Sequence, residues 1–362
     1  MHSLTLVLEI FIIYVYIRLL VYADIYCYPP TIRRRKNARV EKTSKSMYIS
    51  QERVMYVIQN QEADPFMMTK ADKYLVDDIK NILDNGYMDE NPRPRYEDGT
   101  PAHTISVNHV MRKYDLSKGE FPICTLRYQA WKTGIREIFT IYQHPTNVLS
   151  EMKEYGVTWW DPWDIGDGTI GQRYGATVKR YDLIHNLIED IKKDPYGRRK
   201  VVSLWQETDL HETPGLAPCA FLTMWNVRGK YLDMSMIQRS GDMLTASGAG
   251  GINEIQYAAL MMMIACVTGL EPGVFTHFVA NEQIYDRHID NAHEMLRRAE
   301  ELAVQDSGSS IDSPKDNSGE IRQPVLLLHK EKGCSFEEIT IDDFEMRDYA
   351  PMKPQLKFEL GI

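Results

Sequence analysis

The chain has 362 residues, of which 43% are hydrophobic and 26% charged. Those proportions are ordinary for a folded protein and exclude a disordered, collagen-like or purely coiled-coil chain. Lys and Arg number 42 against 51 Asp and Glu, a net charge of -9, which excludes a non-specific nucleic-acid binder that works by displacing counterions. A prior of about 150 residues per domain predicts two domains, or one large domain with additions.

The first segment, Leu4–Tyr22, reads LTLVLEIFIIYVYIRLLVY. It is long enough to span a bilayer, but Glu9 and Arg18 interrupt it. No Lys or Arg precedes it and no clear small-residue cleavage site follows, a poor fit to a signal peptide. If it is an anchor, Arg33, Arg34, Arg35 and Lys36 on its C-terminal side place the body of the protein in the cytoplasm. The favoured reading is an unrelated leader, because Met47 opens an ordinary soluble start. Residues 1–46 are thus read as an extension, 47–70 as a linker and 71–362 as one domain. Both readings leave that domain cytoplasmic.

Asp72–Leu83 carries apolar residues at helical spacing and stops at Asn85-Gly86, which predicts a helix. Asn91–Thr100 is a Pro- and Gly-punctuated loop, and Thr104–Met111 alternates like a strand. Ala130–Tyr142 and Asp182–Lys192 read as helices. Lys200–Leu204, Ala220–Val227 and Tyr231–Ile237 read as strands. Glu254–Gly269 is an apolar, Met- and Ala-rich helix expected in the core, and Glu282–Val304 reads as mainly helical. Residues 305–323, rich in Ser, Asp, Gly and Pro, read as a loop insertion. Val325–Leu328 and Ile339–Ile341 read as short strands. Strands and helices mix without a regular βαβ rhythm, so the fold class expected is α+β.

The five cysteines (Cys27, Cys124, Cys219, Cys266, Cys334) are far apart and show no zinc-site spacing. Reduced thiols and no metal are expected. Cys219, in LAPCAF, stands where a loop meets a strand. A cysteine there can face a cleft, and a nearby guanidinium lowers a thiol pKa by favouring the thiolate. The plainer alternative is a buried apolar thiol. Arg93 lies in the Pro-rich loop, Arg198-Arg199 follow a turn, and Arg239-Ser240 follow a strand. Guanidinium forks and a serine hydroxyl suit a phosphate dianion, although any single arginine is more often solvated surface charge. Asn253, beyond the Gly-rich run, either reads a uracil edge with its amide or caps the helix that follows. Trp159, Trp160 and Trp163 sit in a Gly-rich loop, where they either pack in the core or stack on a flat heterocycle.

In their order and spacing, several segments resemble the thymidylate synthase family from about Tyr74 to Ile362. They are EDGTPAHT, the Glu137 helix, PTNV, GVTWWDPW, TIGQRYG, DPYGRR, LAPC, QRSGD, Asn253-x-x-x-Tyr257, IYDRH and TIDDF. The resemblance implies a mixed sheet with surrounding helices in one catalytic domain. It implies a homodimer that methylates dUMP to dTMP, with methylenetetrahydrofolate as one-carbon and hydride donor. Cys219 matches the nucleophile. Arg239 would hold phosphate and polarise Cys219, with Arg93, Ser240 and, from the partner subunit, Arg198 and Arg199 as further phosphate ligands. Asn253 would read the uracil edge, and Tyr285 would contact the sugar. Glu137 would organise water for proton transfer, and Tyr174 would assist proton removal. Trp160, Trp163, Asp242 and Arg127 would face the folate, and Ile362 would fold over the site.

Departures from the family pattern are Ala220 after the nucleophile, where many members have His, and a 242–253 segment about three residues longer than usual. Gln283 replaces the His of the sugar contact, where an amide still donates a hydrogen bond. These changes keep a dUMP hydroxymethylase open, in which water rather than hydride captures the methylene. A dCMP enzyme would have Asp in place of Asn253. A non-catalytic, membrane-tethered binding protein with the same fold is the reading from another class.

Overall fold

The structure is a computed structural model that describes residues 68–307 and 323–362. The expected extension over 1–46 lies outside these residues, as do most of the 47–70 linker and most of the 305–323 insertion.

Helix α1 spans Lys70–Asn85. Thr69 caps it in a reciprocal box with Asp72, satisfying two backbone donors that a helix start leaves free. Leu75, Ile79 and Ile82 form its buried face. The main sheet follows, built from β1 (Tyr87–Met88), β2 (Thr104–Asp115), β3 (Lys200–Ser203), β4 (Ala220–Arg228), β5 (Tyr231–Gln238), β6 (Gly241–Asp242) and β7 (Glu271–Tyr285). Its order is β1-β2-β7-β5-β4-β3, with β6 also on β7. β5 and β6 run parallel to β7, and the other pairings are antiparallel. Helices α2 (Trp131–Ile138), α3 (Leu183–Lys193), α4 (Ile252–Val267) and α5 (Ile289–Ser307) complete the frame. A small hairpin of β8 (Val325–Leu328) and β9 (Phe344–Arg347) lies near the C-terminus. A mixed sheet with separate helices is the α+β class the sequence predicts.

Four local expectations are corrected. Glu282–Tyr285 is not helical but closes the 15-residue strand β7. Gly273, Phe275, His277 and Val279 are buried alternately along it, a period of two that a helix cannot satisfy. Ile339–Ile341 is not a strand. Ser335 and Thr340 each nucleate a 3-10 turn with Glu338 and Asp343, which delays the strand to Phe344. The Ala130–Tyr142 helix is α-helical only to Ile138 and widens to a π-turn over Phe139–Gln143. Finally, α5 runs to Ser307, into the first residues of the expected loop.

α4 is apolar nearly all round and buried along its length, the pattern of a central core helix. With the turn before it, the Met243–Val267 stretch is long and apolar enough to cross a membrane, yet most of it is buried inside the fold. The other face of the sheet carries an apolar row. Leu222, Ile237, Phe278 and Met111 are cross-strand neighbours on β4, β5, β7 and β2. Met111, Met224 and Val201 are exposed there.

Between α4 and the sheet lies a buried charge cluster. Arg112 Nε donates to Glu254 (2.7 Å), Nη1 to Asp78 (2.7 Å) and Glu282 (2.9 Å), and Nη2 to Ser247 O (2.5 Å) and Glu282 (2.9 Å). Arg112, Glu254 and Glu282 are 1% exposed or less. Removing the cation strands two buried carboxylates, so Arg112→Met is expected to cost about 3–5 kcal/mol. A lower denaturant midpoint at unchanged slope is the readout.

Candidate active site

Two adjacent strands assemble the nucleophile site. β4 begins one residue after Cys219, β5 ends one residue before Arg239, and Ala220 pairs with Gln238. Arg239 N–H donates to Cys219 O (2.9 Å). Its guanidinium is clasped by Pro218 O (3.0 Å) and Ala217 O (2.8 Å), with Nη2 3.5 Å from Cys219 Sγ. Burial pushes the Cys219 thiol up, while Arg239 and then Arg93 pull it down. The guanidinium thus favours the thiolate at a half-buried position. Tyr174 presents its hydroxyl oxygen to Cys219 N–H (3.3 Å). Its backbone takes φ 49 and ψ -109, an uncommon conformation for a bulky residue. The neighbouring Gly175 admits the close approach of Thr146 and Thr140, since a Cβ there would lie 2.2 Å from Thr146 O.

A second group joins this one through Tyr174, whose ring lies 4.9 Å from that of Trp160. Trp163 extends the aromatic ledge, 5.6 Å further. Trp160 Nε1 and Gln256 Nε2 both donate to the buried Glu137 carboxylate. Burial raises Glu137 to about 7, against the lowering hydrogen bonds from Trp160, Gln256 and Trp159. Asn253 belongs to the same group, since its Nδ2 donates to Gln256 Oε1 (3.0 Å). It does not cap α4. Gly251 holds that position and Asn253 lies in the first turn, where the cap geometry needs no side chain.

The remaining candidates are spread around this centre. Tyr285 and Gln283 lie near the end of β7, with Gln283 opposite Asp242 and Ser106. Ser240 follows Arg239, and its carbonyl accepts from Gln238 Nε2 (3.1 Å). Asp242 spends its carboxylate on Leu244 N–H (3.1 Å) and the Thr245 hydroxyl. Arg127 is buried beneath Phe358, 5.0 Å from its ring, and donates to Leu244 O. Among the described residues its Nε has no partner, and burial lowers its pKa. Arg93 is exposed on its loop. The C-terminus is laced to that loop, with Arg95 and Ile362 exchanging backbone hydrogen bonds (2.8 and 2.9 Å). Gly361 packs on the Tyr285 ring, where a Cβ would approach to 2.7 Å. Arg198 and Arg199 are exposed before β3, at the sheet edge. Among the described residues their side chains form no hydrogen bond or ion pair. The structure therefore groups Cys219, Arg239, Tyr174, Trp160, Trp163, Glu137 and Asn253, and leaves Arg198 and Arg199 exposed outside that group.

Sequence reasoning missed Gln256, which bridges Asn253 and Glu137, and Gln238, whose Nε2 reaches Asn253 Oδ1 (3.2 Å). The available signal was the i, i+3 spacing of Asn253 and Gln256, which puts both on one helix face.

A thiol flanked by a clasped guanidinium, beside a buried carboxylate and an aromatic ledge, is the layout of an enzyme that works by nucleophilic addition. Comparison with known proteins gives the family. The family model "Thymidylate synthase" matches residues 73–362. The thymidylate synthase of Lactococcus lactis subsp. cremoris is 46% identical over 301 residues, covering 82% of this chain and all of the relative. That of Streptococcus gordonii is 44% identical over the same shares. The solved thermostable thymidylate synthase A from Bacillus subtilis superposes with a TM-score of 0.68 at 31% identity, covering 81% of this chain and 99% of that one. The chain belongs to the thymidylate synthase family, and is an enzyme of the methyltransferase class.

Proposed function

We propose that the chain methylates dUMP to dTMP with Cys219 as the nucleophile. The observation that carries this reading is the Cys219 Sγ–Arg239 Nη2 approach of 3.5 Å. Thiolate addition to the uracil ring makes C5 nucleophilic, a task the heterocycle cannot perform unaided. Arg239, Arg93 and Ser240 bind the phosphate, and Asn253 reads the ring edge. Tyr285 and Gln283 hold the sugar. Tyr174 stands beside Cys219 to assist removal of the C5 proton.

The aromatic ledge suits a flat pterin, with Trp160, Trp163, Asp242 and Arg127 as its side of the site. Arg127 Nε, a buried donor without a partner among the described residues, supports that placement. When bound, methylenetetrahydrofolate supplies the one-carbon unit and the hydride. Ile362 and the C-terminal segment close over the pocket and exclude water.

The apolar row on the outer face of the sheet, with Met111 65% and Val201 53% exposed, supports a homodimer in which this face is covered. Arg198 and Arg199, unused at the sheet edge, then reach the partner's phosphate. The four cysteines of the described residues are free thiols, in keeping with a cytoplasmic enzyme.

Glu137 accepts the hydrogen bonds around it and so serves as a carboxylate that orders water for proton transfer. Its value of about 7 exceeds the ordinary 4.5. Activity should therefore fall as pH drops through about 7, as the group takes up a proton. Glu137→Gln should lower kcat about a hundredfold and remove that acid limb from the pH–rate profile.

The nucleophile assignment is tested with a 5-fluoro analogue of dUMP. Fluorine at C5 cannot leave as the proton does, so a covalent ternary complex with folate should accumulate. Mass spectrometry should map the adduct to the Cys219 peptide. No adduct, or one on another cysteine, would refute the assignment.

A further inference from the structure

The hydrogen-bond chain behind Asn253 has only one protonation pattern that satisfies every partner. Arg112 spends all five guanidinium hydrogens on Asp78, Glu254, Glu282 and Ser247 O. Its Nη2, 3.3 Å from His277 Nδ1, has none left for the ring. Glu254 Oε1 faces His277 Nδ1 at 2.9 Å, while Oε2 accepts from Tyr114 OH (2.7 Å) and Gly250 N–H (2.8 Å). Against burial, Arg112 holds Glu254 below the usual carboxylate range, so the carboxylate only accepts and Nδ1 must donate.

On the ring's other side, Gln238 Nε2 donates to Ser240 O (3.1 Å). A backbone carbonyl only accepts, so the Gln238 amide cannot turn around. Its oxygen faces His277 Nε2 at 3.1 Å, and that nitrogen must donate too. Charge agrees with this count, since Arg112 and a cationic His277 balance Glu254 and Glu282. Asp78, at the edge of the cluster, is pushed up to about 7, chiefly by burial. Burial pulls the His277 pKa below its ordinary value and the Arg112 charge adds to that, against the hydrogen bond to Glu254 and the charges of Glu254 and Glu282. The cation follows from the hydrogen-bond count, in which both ring nitrogens face acceptors. Apart from these groups, the ring meets the Phe275 face (6.3 Å).

We propose that His277 is a positioning residue, held as a doubly protonated imidazolium, that locks the Gln238 amide and through it the direction in which Asn253 presents its amide to the pyrimidine. Gln238 Nε2 meets Asn253 Oδ1 (3.2 Å), and Asn253 Nδ2 meets Gln256 Oε1 (3.0 Å). One acceptor site on Oδ1 and one hydrogen on Nδ2 remain for substrate. This set complements the carbonyl and imide N–H of uracil, and the locked chain denies the swapped arrangement that would suit a 4-amino ring. The proposal rests on the reading of Asn253 as the group that meets the ring edge.

Two measurements on the full chain test it. In the 15N-histidine spectrum at the pH of the assay, the signal that disappears in His277→Gln should show both ring nitrogens protonated. One unprotonated ring nitrogen would overturn the proposal, whatever the fate of the variant. In calorimetry, His277→Gln should lose about tenfold of the preference for dUMP over dCMP, the worth of one well-made hydrogen bond. Its kcat at saturating dUMP should change by less than about threefold. An unchanged preference, or a fall in kcat alone, would contradict the role. Failure of the wild-type protein to prefer dUMP would instead refute the reading of Asn253 and leave the ring-protonation result standing.

Discussion

Cys219→Ser is expected to lower turnover by at least about a thousandfold, because a serine hydroxyl at this position lacks a base to make it nucleophilic. No His follows the nucleophile here, since Ala220 occupies that position. Among the described residues, the only charged group in hydrogen-bond reach of Sγ is Arg239, which stabilises an anion but cannot accept a proton. Serine is nearly isosteric with cysteine, and the clasp on Arg239 is made by the carbonyls of Ala217 and Pro218. Affinity for dUMP should therefore stay within about threefold, since the phosphate ligands are untouched. Single-turnover kinetics with equilibrium binding of dUMP separate the two effects. A variant that turns over normally would remove Cys219 from the chemistry.

The second large effect is one of complementation. Arg198→Ala/Arg199→Ala should raise the KM for dUMP about a hundredfold, through loss of two charge-assisted phosphate contacts. Mixed with Cys219→Ser after dissociation and reassociation, and assayed with dUMP far below the raised KM, it should regain activity that both variants lack at that concentration. In the mixed dimer, one site combines an intact Cys219 with the partner's intact arginines, and the other site has neither. Random reassortment makes half of the dimers mixed, so about a quarter of wild-type sites return. The expectation follows from the arginines' place at the exposed edge before β3, where no group among the described residues engages them. Lack of recovery after demonstrated subunit exchange would mean that each site is completed within one chain.

The thiol and its guanidinium were legible because their relation is local to one hairpin. A strand that starts after Cys219 and returns before Arg239 must bring the two together, whatever the rest of the fold does. The long helices were legible for a similar reason: α1 and α4 carry their burial pattern in their own spacing. β7 was hidden because polar residues occupy its inward positions. His277 and Glu282 are fully buried there, and a pattern rule counts them as outward-facing. Their burial makes sense only beside Arg112, which β2 brings alongside β7 from far away in sequence. The Gln238–Asn253–Gln256–Glu137 chain was illegible for the same cause. Its members come from β5, α4 and α2, and only tertiary packing puts four polar side chains in one line. Trp160 was assigned to the folate side by resemblance, whereas its hydrogen bond to Glu137 needed the structure.

The central claim is that this site transfers a one-carbon unit to dUMP and reduces it, with Cys219 activating the ring. Incubating the full chain with dUMP and methylenetetrahydrofolate and identifying both products tests it most directly. dTMP and dihydrofolate are expected in equal amounts. Hydroxymethyl-dUMP with tetrahydrofolate, in which water has captured the methylene, would contradict it.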